Sequence, residues 1–275
     1  MTKILSIVIP AWNEQERLPP VLEKIRSYCD NELSPNEYEV IVVDDGSRDG
    51  TATLVSKFAA VWPELWLISL PENRGKGAAV RTGCVNAHGE LVLFYDADGA
   101  TAIEQEAAMR SQLTAQPNLH LVMGVRYRGD SDVTMTAVRR GLGWLFAFCA
   151  SRVIGRVCAD TQCGFKMFRR STVQPIVQRC RENGYTFDVE LLAAVQRQGL
   201  EFTESSIPWT AVSGSKVSLL RDGAMMLWRL ISIRLRHMSG AFEPLVAVPD
   251  RLPSSLTTEL VNAGSNLRSE RTSHE

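Results

Sequence analysis

No run of about 18 apolar residues occurs in the sequence, so no segment is expected to cross a bilayer as a helix. No secretory signal opens it, because the strand-like stretch from Ile4 to Pro10 is too short for a signal's apolar region. The six cysteines, Cys29, Cys84, Cys149, Cys158, Cys163 and Cys180, show neither CxxC spacing nor histidines at zinc-ligand spacing. They are expected to be reduced, mostly buried thiols of a cytosolic protein. No GxGxxG follows the first apolar run, which speaks against a dinucleotide-binding dehydrogenase. The formal net charge of −1 gives no global case for a nucleic-acid partner. No internal repeat is present, and nothing points to a protein partner.

What the sequence does hold is an ordinary globular composition, 45% hydrophobic and 22% charged over 275 residues, enough for one large α/β domain. The balanced total hides an asymmetry. Residues 121–170 carry nine Arg and Lys against three Asp, and residues 215–238 carry five against one. Such stretches face either solvent or an anion such as phosphate.

Short apolar runs alternate with helical spacing through the first 123 residues. Residues 4–9, 39–43, 65–70, 91–95 and 119–123 read as strands. Residues 14–28, 51–61, 76–87 and 103–115 read as helices. This alternation predicts a Rossmann-like, mostly parallel sheet with helices on both faces. After Gly124 the pattern changes, with strands at 163–168 and 202–207 and helices at 172–180, 189–198 and 219–238. Residues 141–151 are uncharged and include Leu142, Trp144, Leu145, Phe146 and Phe148. They and the helix at 219–238 are expected to be buried either in the core or at a membrane interface. Within that last helix Asp222, Arg229 and Arg236 recur every seven residues along one line. From 239 onward periodicity is lost, and residues 239–275 are predicted to be a disordered tail.

The polar motifs sit directly after strands, where open α/β sheets bind their ligands. Asp96-Ala97-Asp98 ends the fourth strand. Its two carboxylates can share a hard divalent cation with phosphate oxygens, or serve as a turn with an Asp cap. Asp44-Asp45-Gly46-Ser47 ends the second strand. Two adjacent acids repel, which makes a hydrogen-bonding role toward a base or ribose a better reason for them than turning alone. Arg74 and Lys76, beside Gly75 and Gly77 at a helix start, suit a diphosphate; a soluble loop is the plainer alternative. Pro10, Ala11, Asn13 and Glu14 follow the first strand. Four segments far apart in sequence are thereby expected to converge on one edge.

Ile9-Pro10-Ala11-Trp12-Asn13-Glu14, Val42-Val43-Asp44-Asp45-Gly46-Ser47, the Asn73-Arg74-Gly75-Lys76-Gly77 turn and Asp96-Ala97-Asp98 together resemble the family 2 inverting glycosyltransferases of GT-A fold. The resemblance spans about residues 1–220. Asp96-Ala97-Asp98-Gly99-Ala100-Thr101 and Asp160-Thr161-Gln162-Cys163-Gly164-Phe165-Lys166 resemble, within that family, the dolichyl-phosphate β-glucosyltransferases. The resemblance implies a nucleotide-sugar donor held by Pro10, Ala11, Asn13, Glu14, Asp44, Asp45, Arg74, Lys76, Asp96 and Ala97. It implies Mg²⁺ or Mn²⁺ at Asp96 and Asp98, with Asp98 catalytic. Arg126, and Arg139 or Arg140, match positions that receive a lipid phosphate in relatives, and guanidinium suits that task. Asp160 matches an acid proposed as base. Because a phosphate acceptor is already ionised, an orienting role toward Lys166 or a metal ligand is the better expectation. Lys216 resembles a lid residue that contacts the diphosphate.

The expected organisation is one domain over 1–238, with a nucleotide-sugar-binding half at 1–123 and an acceptor half at 124–238. The expected function is transfer of glucose from UDP-glucose to a polyprenyl or dolichyl phosphate. The protein is expected to be cytoplasmic and peripheral at the membrane face. The sequence departs from eukaryotic glucosyltransferases, which carry an N-terminal membrane helix, in opening on the first strand. The alternatives are a GDP-mannose-dependent mannose synthase, a soluble transferase with a non-lipid acceptor, and a nucleotide-sugar-binding regulator.

Overall fold

The computed structural model describes residues 3–127, 137–156, 158–210 and 219–238. Seven strands form one sheet in the order β3-β2-β1-β4-β6-β5-β7. They are β1 (Leu5–Ala11), β2 (Tyr38–Asp44), β3 (Leu65–Ser69), β4 (Leu91–Tyr95), β5 (Leu119–Tyr127), β6 (Phe165–Arg169) and β7 (Glu201–Pro208). The helices are α1 (Leu18–Glu32), α2 (Thr51–Ala59), α3 (Lys76–Val85), α4 (Gln105–Ala115), α5 (Ala137–Ile154), α6 (Arg170–Arg179), α7 (Phe187–Arg197) and α8 (Leu219–Met238). The sheet is mostly parallel, as expected. The exception is β6, which runs antiparallel between β4 and β5.

Period-2 alternation along the central strands builds two cores, one on each face. Leu5, Ile7 and Ile9 of β1 and Leu91, Leu93 and Tyr95 of β4 face the side of α1, α2 and α4. Val8, Val92 and Phe94 face the side of α3, α5, α6 and α7. Because both faces are covered, these strands are apolar throughout rather than alternating, the mark of a parallel sheet. β1 pairs with β2 on one side and with β4 on the other, both parallel. The connections from β1 and from β4 therefore diverge at their carboxyl ends and leave a crevice between them, the topological switch point.

Beyond shifts of one or two residues at element ends, two differences from expectation matter. The first helix begins at Leu18, not Glu14, with proline in its first turn. Proline is tolerated there because the N–H groups of a first turn have no intrahelical partner, whereas a start at Glu14 would place Pro19 and Pro20 in the helix interior. The fifth strand runs on to Tyr127, so Arg126 sits on the strand itself, opposite Ile207 of β7. The predicted tail at 239–275 lies outside the described residues.

No described helix is long and apolar enough to cross a membrane. α8 nevertheless turns an apolar stripe outward. Met225, Trp228, Ile231, Leu235 and Met238 are exposed, Trp228 at 65%, while Leu230 and Ile233 are buried. Leu145 and Phe148 of α5 extend the exposed apolar surface, and the Arg152 guanidinium stacks 5.0 Å from the Phe148 ring. The line of Arg229 and Arg236 faces inward, against Glu182 and Glu190. All six cysteines are free thiols, and five are buried. Burial pushes the Cys29 thiol up to about 12 and Cys158 up to about 11.

Helix α3 lies close to β1 and β2 at Gly83. A Cβ there would come within 2.3 Å of Val8 Cγ1 and 3.1 Å of Val43 Cγ2. In an open helix Gly→Ala gains about 1 kcal/mol. Here the overpacking cost of about 1–3 kcal/mol falls on a central strand, and it should win. Gly83→Ala is expected to lower the urea midpoint of unfolding; a raised midpoint would contradict this packing.

Candidate active site

The carboxyl ends of β1, β2, β3 and β4 bring the expected segments together. Asp45, just past β2, is buried and donates its N–H to Ala11 O at 2.8 Å. Its carboxylate accepts hydrogen bonds from the N–H of Arg74 and of Gly75, both 2.8 Å, and from the Asn73 amide at 2.9 Å. Burial raises its pKa, against the pull of those two N–H groups. The side chain that was expected to meet a base or ribose therefore first fixes the turn expected to hold the diphosphate. Gly75 in that turn has φ +100°, a conformation that suits glycine. Asp44 is buried and accepts from Ser47 N–H at 3.3 Å.

On the β1 side Pro10 and Ala11 are the last two residues of the strand. Asn13 has φ +54° and is tied to the second segment: its N–H meets Ser47 Oγ at 2.8 Å, and its Oδ1 accepts from Arg48 N–H at 2.8 Å. Glu14 is buried, with Arg17 forked onto its carboxylate at 2.6 and 2.7 Å. Arg17 was not singled out from the sequence. Its charge reaches Asp98 across the crevice.

Asp96, Ala97 and Asp98 form the turn after β4. Lys76, the first residue of α3, reaches over to Asp96 Oδ1 at 2.7 Å and stands 5.1 Å above the Phe94 ring. Burial pulls the Lys76 ammonium down, but the charges of Asp96, Asp188 and Asp98 more than offset it, so its pKa is raised and it stays protonated. Asp98 is raised by burial and then by the Asp96 charge, and it accepts from Ala100 N–H at 3.1 Å. Two carboxylates on one turn, one of them raised by burial and by the charge of the other, are a hard-oxygen donor set that fits a divalent cation. No group of three or more potential ligand side chains forms among the described residues. A cation at Asp96 and Asp98 would thus take further oxygens from a bound ligand.

Gly164 backs this turn. Its carbonyl accepts the Asp96 N–H at 3.0 Å, and a Cβ on it would fall 1.8 Å from Asp96 Oδ2. It lies in the 160–166 motif, but composition alone gives no sign of such a contact. On the other flank Arg126 Nε and Nη2 bind the two Asp160 oxygens at 2.5 and 2.8 Å, and the guanidinium lies 5.6 Å from the Trp209 ring. Burial pushes Asp160 up, yet the Arg126 hydrogen bonds and charge hold it below its ordinary value. The expected partner Lys166 is engaged elsewhere: it is fully buried and pairs with Asp188 at 2.6 Å. The reason is geometric, since antiparallel β6 turns Lys166 to the face of Phe94 and α7, the ring lying 5.7 Å away. Asp160 orients Arg126 instead. Asp188, Glu182 and Glu190 are further buried acids; for Asp188 and Glu190 the legible signal is a carboxylate inside the apolar run of α7, and Glu182, in the loop before it, gives none. Arg139 and Arg140 lie on the first turn of α5. Lys216 lies outside the described residues.

The family model for Glycosyl transferase family 2 matches residues 6–176. A dolichyl-phosphate beta-glucosyltransferase of Trichomonas vaginalis is 33% identical over 248 residues, 87% of this chain and 75% of that protein. The dolichyl-phosphate beta-glucosyltransferase of Homo sapiens is 34% identical over 252 residues, 88% of this chain and 78% of that one. Among solved structures, glucosyl-3-phosphoglycerate synthase from Mycobacterium tuberculosis, in complex with Mn²⁺, uridine-diphosphate-glucose and phosphoglyceric acid, superposes with a TM-score of 0.63. It is 19% identical and covers 86% of this chain and 80% of its own. Mannosyl-3-phosphoglycerate synthase from Rubrobacter xylanophilus gives a TM-score of 0.62 at 19% identity, over 92% and 79%. These likenesses show a GT-A fold. Matched by the family model over more than half its length, and a third identical to relatives it covers for three quarters of theirs, the chain is a glycosyltransferase and belongs to glycosyl transferase family 2.

Proposed function

We propose that this protein transfers glucose from UDP-glucose to a dolichyl or polyprenyl phosphate at the cytoplasmic face of a membrane. The observation that carries the reading is the arginine poised beside the acidic turn. Arg126 is held by Asp160 close enough to Asp96 to feel its charge. A phosphate receptor and a candidate metal turn thus share one site. The names of the relatives support the same donor sugar and acceptor class.

In this reading the diphosphate of the donor lies against the Arg74–Gly75 turn and Lys76, at the start of α3, where backbone N–H groups and a protonated ammonium face an anion. Mg²⁺ or Mn²⁺ held by Asp96 and Asp98 would neutralise charge building on the departing nucleoside diphosphate. Arg126 receives the acceptor phosphate. Its planar fork, already half engaged by Asp160, is fixed in orientation before the acceptor arrives. Asp160 is held ionised by Arg126 and has no proton-accepting task, because the phosphate oxygen is itself the nucleophile. Attack from the side opposite the leaving group inverts the anomeric centre.

The pH dependence follows from the acceptor. A phosphate monoester loses its second proton near about pH 6. Asp160 titrates below the ordinary carboxylate range, so it sets no limb above that. Activity toward lipid phosphate, measured as kcat/KM, is expected to hold through neutral pH and to fall as the pH drops through about 6. Asp160→Asn should lower the rate without moving that limb. A limb that shifts with Asp160→Asn would make Asp160 a base.

The outward apolar stripe of α8 and the Leu145–Phe148 surface of α5, with Arg152 beside them, support docking on a bilayer without spanning it. Trp228 is exposed, so replacing it should leave the fold intact. Burying such a side chain is worth roughly 1.5–3 kcal/mol. Trp228→Asp is therefore expected to weaken flotation with anionic liposomes by about tenfold or more. Unchanged flotation would favour an acceptor met in solution.

A further inference from the structure

Two buried acids lie beneath α8, away from the metal turn. Glu182 and Glu190 are each no more than 1% exposed. Glu190 Oε2 accepts the N–H groups of Arg181 and Glu182 at 2.8 and 2.7 Å, which closes the loop ahead of α7. Glu182 accepts the Thr186 hydroxyl at 2.8 Å. Their cations come from α8: Arg229 reaches Glu182 at 3.1 Å, and Arg236 bridges Glu182 and Glu190, the latter at 3.2 Å. Burial raises Glu190, whereas Glu182, served by both arginines, is held below its ordinary value against burial.

The other side of this loop presses on the start of α3. Asn183 O accepts the Ala78 N–H at 3.2 Å. A Cβ at Gly75 would stand 2.5 Å from that same oxygen, and one at Gly77 would stand 2.7 Å from Glu182 O and 2.9 Å from Gly184 O. Arg81 of α3 adds bonds to Glu182 O at 3.1 Å and Asn183 Oδ1 at 2.6 Å. The loop is thus packed directly under the residues that flank Lys76, and Lys76 in turn holds Asp96.

We propose that Arg236 is a positioning residue for the donor site. Through Glu182 and Glu190 it clamps the 181–184 loop against the Gly75–Gly77 turn, and so sets where Lys76 and the first N–H groups of α3 meet the diphosphate. The proposal rests on the reading of that turn as the donor's diphosphate site. Removing Arg236 leaves Glu182 with Arg229 and takes from Glu190 the arginine that pairs with it, so the charge repulsion between the two buried acids falls on the loop that joins them. Coupling through one such packed contact has a usual range of about fivefold upward.

The test is titration calorimetry of UDP with Mn²⁺ on the full chain, beside donor KM and kcat in the transfer assay. Arg236→Ala is expected to weaken UDP binding and raise the donor KM by about fivefold or more, with kcat and acceptor KM changed far less. Arg236→Lys should recover part of the loss, a response that general destabilisation would not give. Glu190→Gln, which keeps shape and loses charge, should act in the same direction and carries the test if Arg236→Ala does not fold. UDP binding unchanged in folded Arg236→Ala, or in Glu190→Gln, overturns the clamp alone. Failure of the unaltered protein to bind UDP with Mn²⁺ overturns the donor reading itself.

Discussion

Lys76 and Asp96 meet at 2.7 Å at the carboxyl edge of the sheet, and this contact joins the two sides of the site. Lys76 belongs to the turn organised by Asp45, and Asp96 to the acidic turn after β4. Phe94 lies beneath, with Lys166 over the same ring and Asp188 beyond it. The edge gathers Glu14, Asp96, Asp98, Asp160 and Asp188, and low-dielectric surroundings make unpaired charge there costly. Cations from other parts of the chain answer them: Arg17, Lys76, Arg126 and Lys166. Buried ion pairs seldom add net stability against apolar packing, so the value of this arrangement lies in where it places charge. Asp98 is the acid left with excess negative charge around it, raised by burial and by Asp96.

Most of the sheet was legible because its strands are short apolar runs that end beside Pro10, Asp44 or Asp96, and period-2 burial on two faces allows little else. The start of α1 was legible too, had Pro19 and Pro20 been weighed as first-turn residues. The convergence of four loops followed from the place of each polar motif directly after a strand of a parallel sheet. What the sequence could not show is which charge meets which. Lys166 and Asp160 are six residues apart in one motif, yet antiparallel β6 carries Lys166 to Asp188 on α7 and leaves Asp160 to Arg126 on β5. Pairing of this kind depends on strand direction and register, and β6 is the strand that breaks the parallel rule.

Helix α8 inverts the usual reading of an amphipathic helix. Its arginine line, which a sequence reader sends to solvent, is spent on Glu182 and Glu190, and its larger apolar side chains face outward. Turning the arginines toward buried acids while Trp228 and Leu235 stay exposed is unfavourable in water alone, and it suits the proposed docking of the outer face on lipid. The inner face bears on the loop under α3, so one helix touches both the surface proposed to meet lipid and the loop beneath the turn proposed to hold the donor.

In the proposed function, Asp96 and Asp98 hold a cation that serves glucose transfer to a lipid phosphate. The most direct measurement is transfer of radiolabelled glucose from UDP-glucose to a polyprenyl phosphate, with Mn²⁺ or with EDTA, by the unaltered protein and by Asp98→Ala. Labelled lipid is expected with Mn²⁺, and loss of at least about two orders of magnitude of rate on chelation or in the folded variant. Full activity in EDTA, or equal transfer to a water-soluble acceptor that lacks phosphate, would contradict it.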